Sequence, residues 1–126
     1  MVSDVVTITK DKYASTAAKI MAEKNIGSLV VMENNEIIGI ITERDLLNKV
    51  IGKGLDPKTV TVEQTMSTPV ITGRSDLSII DASELLAENN IKKLPVVDDN
   101  RLVGIVTERD IANAMRQCFL RISPVK

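Results

Sequence analysis

The order of apolar and polar positions predicts a short strand and then an amphipathic helix at the start of the chain. Residues 5–8 form an extended apolar run, and small or apolar residues then recur at the spacing of one helix face. They are Ala14, Ala17, Ala18 and Met21. We expect a helix over about residues 12–24, with Asp11 as its cap and Asn25 ending it in a left-handed conformation.

Two more apolar runs and a polar turn complete the same unit. Residues 28–32 and 37–41 have the composition of strands, and the polar residues between them predict a β-hairpin. A further helix is expected from Thr42 to about Val50. The predicted order of elements is therefore β-α-β-β-α.

The whole unit occurs a second time. When the chain is shifted by 65 residues, residues 5–48 lie over 70–113 without a gap, and 18 of the 44 pairs are identical. Two glycines and a proline between residues 52 and 57 mark a linker, and Thr61-Val62-Glu63-Gln64 has the form of a capping box. We expect an α+β fold in which two tandem units, 1–58 and 59–117, pack about a pseudo-two-fold axis and precede a C-terminal tail, 118–126.

Composition and charge argue against several classes of function. The 126-residue chain has a formal net charge of -1 and scattered basic residues, so nucleic acid is not an expected partner. It has one cysteine, Cys118, and no histidine, which leaves no thiolate metal cluster and no nucleophile–base pair in view. We therefore expect no metal site and no enzyme activity. No apolar run is long enough for a membrane span, no signal peptide is evident, and we expect a cytoplasmic location.

One four-residue motif follows the last strand of each unit. Thr42-Glu43-Arg44-Asp45 and Thr107-Glu108-Arg109-Asp110 both come at a strand-to-helix junction, a few residues after a glycine. One interpretation is a capping box, in which the hydroxyl and the carboxylate each accept a hydrogen bond from backbone N–H groups. The other is a nucleotide site, in which N–H groups and the Thr hydroxyl face a phosphate and the Asp carboxylate binds ribose hydroxyls. The residues alone leave both interpretations open.

Taken in order, these motifs resemble a tandem pair of CBS domains, the Bateman module. The resemblance rests on the repeated β-α-β-β-α unit, the closing Thr-x-x-Asp motif, and two stretches of the second unit, Ile91-Lys92-Lys93-Leu94-Pro95-Val96-Val97 and Gly104-Ile105-Val106-Thr107. The segment Gln64-Thr65-Met66-Ser67-Thr68-Pro69-Val70 is similar to the one that leads into a second CBS unit. Together these features cover roughly residues 1–117.

The resemblance implies a regulatory module that senses adenosine-containing ligands such as AMP, ADP, ATP or S-adenosyl compounds and requires no cofactor. It also implies a homodimer that acts on an effector protein. The alternative is a ligand-free scaffold for dimerisation or for binding a partner protein. The sequence does not reveal which adenosyl ligand binds or which protein is regulated.

The resemblance further implies two clefts, each with the Thr-x-x-Asp motif of one unit and residues of the other. The first would combine Thr42 and Asp45 with Met66, Ile71, Ile91 and Lys92. The second would combine Thr107 and Asp110 with Val6, Ile26 and Gly27. In this arrangement the Asp holds the ribose, the Thr lies near phosphate or ribose, and the apolar residues enclose the adenine.

The two implied clefts differ in charge. Lys92 and Lys93 stand where the first unit has Gly27 and Ser28. A cation near a phosphate adds a charge-assisted hydrogen bond, which corresponds to about tenfold or more in affinity. We therefore expect the cleft with Lys92 to bind phosphorylated ligands more tightly. The other interpretation is that Lys92 is a solvated lysine at a strand edge.

Overall fold

The computed structural model describes the backbone of residues 5–122 and the side chains of residues 5–117. The chain divides into two compact units, the first from Val5 to Val70 and the second from Ile71 onward. Each combines strands and helices, which confirms the α+β prediction.

The first unit contains a three-stranded sheet. Its elements in chain order are β1 (Thr7–Thr9), α1 (Ala14–Lys24), β2 (Ser28–Glu33), β3 (Glu36–Thr42), α2 (Glu43–Leu46) and α3 (Val62–Thr65). Helix α2 continues directly into one π-helical turn, Leu47–Ile51. Strand β2 lies in the middle of the sheet, parallel to β1 and antiparallel to β3.

The second unit repeats the helix, hairpin and helix of this order, and its sheet has two strands. Its elements are α4 (Ile79–Glu88), β4 (Lys93–Asp98), β5 (Arg101–Thr107) and α5 (Glu108–Ile122). Strands β4 and β5 are antiparallel, and they carry a register shift at the position equivalent to the one in the first hairpin. Helix α5 continues through residues 118–122 of the predicted tail, and residues 123–126 lie outside the described part of the chain.

The counterpart of β1 in the second unit is reduced to one bridge, between Gly73 and Val96. In the first unit the Val30 N–H donates to the Val6 carbonyl at 3.2 Å, and this bond extends the parallel ladder. Pro95 stands at the position equivalent to Val30. Because proline has no N–H, the equivalent bond cannot form, and the ladder stops at Gly73.

Asparagine and aspartate residues form the tight turns of both units. Asn25 and Asn90 follow the first helix of their units with φ of 53° and 52°. Each hairpin turn has two consecutive residues with positive φ, the pairs being Asn34-Asn35 and Asp99-Asn100. This is the backbone of a type I′ turn, which joins twisted antiparallel strands well. The predictions of a hairpin and of a left-handed Asn25 are confirmed.

A separate apolar core lies in each unit. In the first unit, Ala17 and Met21 of α1 pack on sheet residues and on Val62 of α3. The predicted helix face is correct for Ala14, Ala17 and Met21, but Ala18 is exposed. The core of the second unit is built around Ala82, Leu86, Leu94 and Ile111.

Helix α1 begins later than predicted and is capped differently. Asp11 is not its cap: the helix begins at Ala14, after Tyr13, which has no capping side-chain bond. The Ala14 N–H donates instead to the Val60 carbonyl at 2.8 Å, and Tyr13 forms a backbone bridge with Thr61. Backbone groups of residues beyond the predicted linker therefore satisfy the start of this helix, a contact that no local pattern signals.

Residues 57–67, here called the return segment, fold back over the first unit. Val62 is fully buried in the first core, and its N–H donates to the Lys12 carbonyl at 2.7 Å. Ser67 pairs with Ile40 of β3 through two backbone hydrogen bonds of 2.8 and 3.2 Å. The return segment therefore belongs to the structure of the first unit.

The predicted capping box in the return segment is confirmed. The Thr61 hydroxyl accepts from the Gln64 N–H, and the Gln64 side chain accepts from the Thr61 N–H. This box starts the short helix α3 and so fixes the direction in which Val62 enters the core. The compact unit extends to Val70, whereas the sequence analysis divides the chain between residues 58 and 59.

Truncating Val62 to alanine tests the importance of the return segment. Because the side chain is fully buried, Val62→Ala should lower the free energy of unfolding by about 2 kcal/mol in urea denaturation. The matched control is Val60→Ala, which removes the same atoms from a half-buried position of the same segment. Equal effects of the two substitutions would contradict a core role for Val62.

Candidate functional site

The Thr-x-x-Asp motif of the first unit forms a complete capping box at the junction of β3 and α2. The Thr42 N–H and hydroxyl donate to Asp45 Oδ2 at 3.0 and 3.1 Å. The Asp45 N–H donates to Thr42 Oγ1 at 3.1 Å. The capping interpretation is confirmed for this copy.

The motif of the second unit has the same geometry. The Thr107 N–H donates to Asp110 Oδ2 at 2.9 Å, and the Asp110 N–H donates to Thr107 Oγ1 at 3.1 Å. The repeat therefore preserves the orientation of this carboxylate toward the end of the preceding strand.

A backbone hydrogen bond to the residue just before β2 or β4 also fixes each junction. The Glu43 N–H donates to the Gly27 carbonyl at 3.1 Å, and the Glu108 N–H donates to the Lys92 carbonyl at 2.8 Å. Two of the first three N–H groups of α2, those of Glu43 and Asp45, are thus bonded within the chain. These are donors that the phosphate interpretation of the motif would use, and their bonds within the chain argue against a phosphate at these two groups.

Asp45 has further partners that the capping box does not require. Its Oδ1 accepts from the Ser67 hydroxyl at 2.9 Å and lies 3.1 Å from the Lys49 ammonium. The same ammonium donates to the Thr65 carbonyl at 3.1 Å and to Ser67 Oγ at 3.2 Å, and it lies 3.5 Å from the Met66 carbonyl. We call the set Asp45, Lys49 and Ser67, with these two carbonyls, the Lys49 clasp.

Sequence reasoning did not find Lys49 or Ser67. Lys49 is four residues after Asp45, and opposite charges at this spacing on a helix are a recognisable local signal. No local pattern could identify Ser67, because the return segment brings it to Asp45 from 22 residues away.

Gly39 permits the close approach of the return segment to β3. A Cβ atom at this position would lie 2.9 Å from Met66 Cγ and would also meet Met66 Sδ. Any side chain here would require the Met66 side chain to move away from the strand. The glycine before the motif therefore leaves room for the Met66 side chain.

The other predicted site residues divide between the two units. Val6, Ile26 and Met66 are partly buried against the first core, and Ile71 and Ile91 are partly buried against the second. Lys92 is exposed. The grouping implied by the resemblance, with residues of both units around one ligand, stays a prediction.

The acidic hairpin of the second unit binds a backbone N–H group from 23 residues earlier in the chain. Asp98 Oδ1 accepts from the Ser75 N–H at 3.1 Å. Hydrogen bonds from the side chain and backbone of Ser75 hold the pKa of Asp98 below its usual value. Within residues 5–117, no three His, Cys, Asp or Glu side chains come together as a group that could hold a metal ion.

Comparisons with known proteins agree with this architecture. The CBS domain family matches the chain in two segments, residues 1–52 and 61–117. The chain therefore belongs to the CBS-domain family, as a tandem pair of CBS units. Proteins of this family are regulatory ligand-binding modules, and those that stand alone are generally not catalytic.

Two curated relatives and one solved structure show the extent of the similarity. The chain is 46% identical over 110 residues to the uncharacterised protein MK0525 of Methanopyrus kandleri, covering 86% of this chain and 56% of that protein. It is 37% identical over 112 residues to the CBS domain-containing protein YhcV of Bacillus subtilis, covering 89% and 79%. A hexameric CBS-CP12 protein from bloom-forming cyanobacteria matches with a TM-score of 0.85 and 31% identity, covering 100% and 73%. Within the described part of this chain, no helix has the length and apolarity to cross a membrane.

The Lys49 clasp predicts that the two equivalent aspartates differ in their contribution to stability. Asp110→Ala removes a capping box and should cost about 1 kcal/mol. Asp45→Ala also leaves the Ser67 hydroxyl and the Lys49 ammonium without their carboxylate, and it should cost about 1–3 kcal/mol more. Urea unfolding of both variants measures this difference. Equal losses would show that the clasp adds no stability.

Proposed function

We propose that the chain is a regulatory module that binds an adenosine-containing ligand, such as AMP, ADP, ATP or an S-adenosyl compound. The observation that carries the proposal is the Thr-x-x-Asp motif, which recurs with the same geometry in both units of a CBS pair. An effect on a partner protein, and not a chemical reaction, is the proposed output.

The chemistry of the motif suits a ribose. An ionised carboxylate accepts hydrogen bonds through two oxygens, and the vicinal hydroxyls of a ribose present two donors at a matching spacing. Asp45 and Asp110 are the proposed acceptors, and Thr42 and Thr107 lie beside them. Since the N–H groups of Glu43 and Asp45 at the start of α2 are bonded within the chain, we assign the phosphate a lesser role in binding at the motif.

Partly buried apolar residues supply the proposed surface for the adenine. Val6, Ile26 and Met66 in the first unit, and Ile71 and Ile91 in the second, each pack on a core while part of the side chain stays accessible. Apolar side chains of this kind bind the faces of a flat ring, and polar groups nearby fix its orientation.

The second candidate function is a scaffold that forms a homodimer, and one specific observation favours it. The π-helical turn and the residues after it expose a stripe of large apolar side chains: Leu47 is 60% exposed, Ile51 59% and Leu55 47%. Leu47 and Ile51 lie in the π-helical turn, and Leu55 follows the turn after it. Exposed large apolar side chains of this kind suit contact with a second copy of the chain. The hexameric CBS-CP12 protein is a related case of assembly.

Thermal unfolding in the presence of AMP, ADP, ATP and S-adenosylmethionine tests the first proposal. A ligand at a hundred times its dissociation constant adds about 2.7 kcal/mol, which should raise the midpoint by several degrees. The shift should be lost in one of the two variants Asp45→Ala and Asp110→Ala, namely the one that removes the ribose acceptor used by the ligand.

Asp76→Ala is the matched control for that measurement. It removes an exposed carboxylate of the second unit, whose described ion pair is with exposed Arg74, and should leave the ligand shift unchanged. No shift with any of the four compounds would contradict the sensing proposal and would favour the scaffold.

Sedimentation equilibrium of Ile51→Glu tests the dimer. A charge in the middle of the apolar stripe should weaken self-association at least about tenfold, because the glutamate would lose its hydration in the interface. Asn48→Glu places the same charge on an exposed polar position of the same turn and should not change the mass of the assembly measured by sedimentation. Equal behaviour of the two variants would exclude the stripe as the interface.

A further inference from the structure

The carboxylate of Asp45 has no remaining acceptor position. An ionised carboxylate offers about four lone-pair sites. At Asp45 these meet four donors of the chain itself: the Thr42 N–H and hydroxyl at Oδ2, and the Ser67 hydroxyl and the Lys49 ammonium at Oδ1. Asp45 is accordingly 7% exposed. A vicinal diol, which brings two new donors, cannot be added to this arrangement without removing two of those present.

The two donors at Oδ1 are the ones that a ligand could displace. Those at Oδ2 belong to Thr42 and are fixed by the junction of strand and helix. Lys49 is a flexible side chain with 40% of its surface exposed, and Ser67 lies on the return segment. The Lys49 ammonium already has other acceptors in the Thr65 carbonyl and Ser67 Oγ, which hold it in place. Displacement therefore breaks a network and not a single contact.

The second unit cannot form the same network. Its residue equivalent to Lys49 is Ala114, which has no donor in its side chain. The backbone differs as well, because Lys49 lies in the π-helical turn Leu47–Ile51 whereas Ala114 lies within the regular helix α5. The two motifs are thus alike in their capping boxes and differ four residues after the aspartate, where the first has a lysine and the second an alanine.

From this difference we infer that the Lys49 clasp closes the ribose acceptor of the first unit, so that a ligand with a vicinal diol binds first at Asp110. The inference rests on the proposed function, since it concerns the same two carboxylates. Asp45 accepts a diol only in exchange for Lys49 and Ser67. Because Ser67 lies on the return segment, that exchange would also break the side-chain hydrogen bond between this segment and α2. Ligand binding at Asp45 would then have a structural effect that ligand binding at Asp110 does not have.

The Lys49 clasp and Lys92 have opposite expected effects on ligand binding at Asp45. The expectation based on Lys92 assigns the tighter binding of phosphorylated ligands to the cleft containing Asp45, because of the additional cation. The Lys49 clasp acts on the same carboxylate in the opposite direction. The two effects can be measured separately, because the clasp weakens the binding of any ligand with a ribose diol, whereas Lys92 affects only ligands with a phosphate.

Isothermal titration of the full chain with AMP, and in parallel with S-adenosylmethionine, tests the inference. We expect a single class of tight site, lost in Asp110→Ala and retained in Asp45→Ala. In Lys49→Met a second site should become measurable, at least about tenfold tighter than its counterpart in the unaltered chain. Ser67→Ala, which removes one displaceable donor and keeps the lysine, should produce a smaller change in the same direction.

Lys53→Met is the matched control, because it makes the same substitution and charge change at an exposed lysine after the π-helical turn. It should titrate like the unaltered chain. The clasp is overturned if Lys49→Met and Ser67→Ala both bind as the unaltered chain does, or if binding is lost in Asp45→Ala and kept in Asp110→Ala. It is also overturned if Lys49→Met weakens binding, since Lys49 would then contact the ligand. No binding by any variant would overturn the proposed function and the clasp together.

Discussion

The first unit depends on the backbone contacts made by the return segment. Carbonyl groups of residues 57–60 bind the first N–H groups of α1, Val62 fills the core beneath that helix, and Ser67 pairs with Ile40. Without these contacts, α1 would begin with unsatisfied donors and the core would have a cavity. The return segment, which follows the first copy of the repeat, thus completes the first unit. Gly39 leaves space for Met66 of this segment beside β3.

Local patterns in the sequence were sufficient for most elements and for those caps whose partners lie close in the sequence. Asn25 ends its helix in the left-handed conformation, Thr61 and Gln64 form their capping box, and the hairpins turn at the polar residues between the apolar runs. In each of these cases the interacting groups are within a few residues of one another. Local preference and the final structure agree there because no distant group competes.

Contacts between distant residues could not be predicted in this way. The position of Asp11 before an apolar face suggested a cap, but carbonyls of the return segment bind the N–H groups at the start of α1 instead. In the same manner the sequence identified Asp45 and its capping partner, but not Ser67, which reaches the carboxylate only when the return segment is in place. Candidate site residues were therefore found where they form a motif and missed where folding alone brings them together.

Pro95 has a consequence for the association of one molecule with another. An exposed strand edge offers N–H and carbonyl groups to any extended chain that lies beside it, and sheets with few strands have the highest proportion of such edges. In the two-stranded sheet of the second unit, β4 has one bridge on its outer side and a proline in its middle. Because Pro95 cannot donate, a foreign strand could not continue a ladder past it. The residue that shortens the native sheet is thereby also a safeguard against intermolecular β-aggregation.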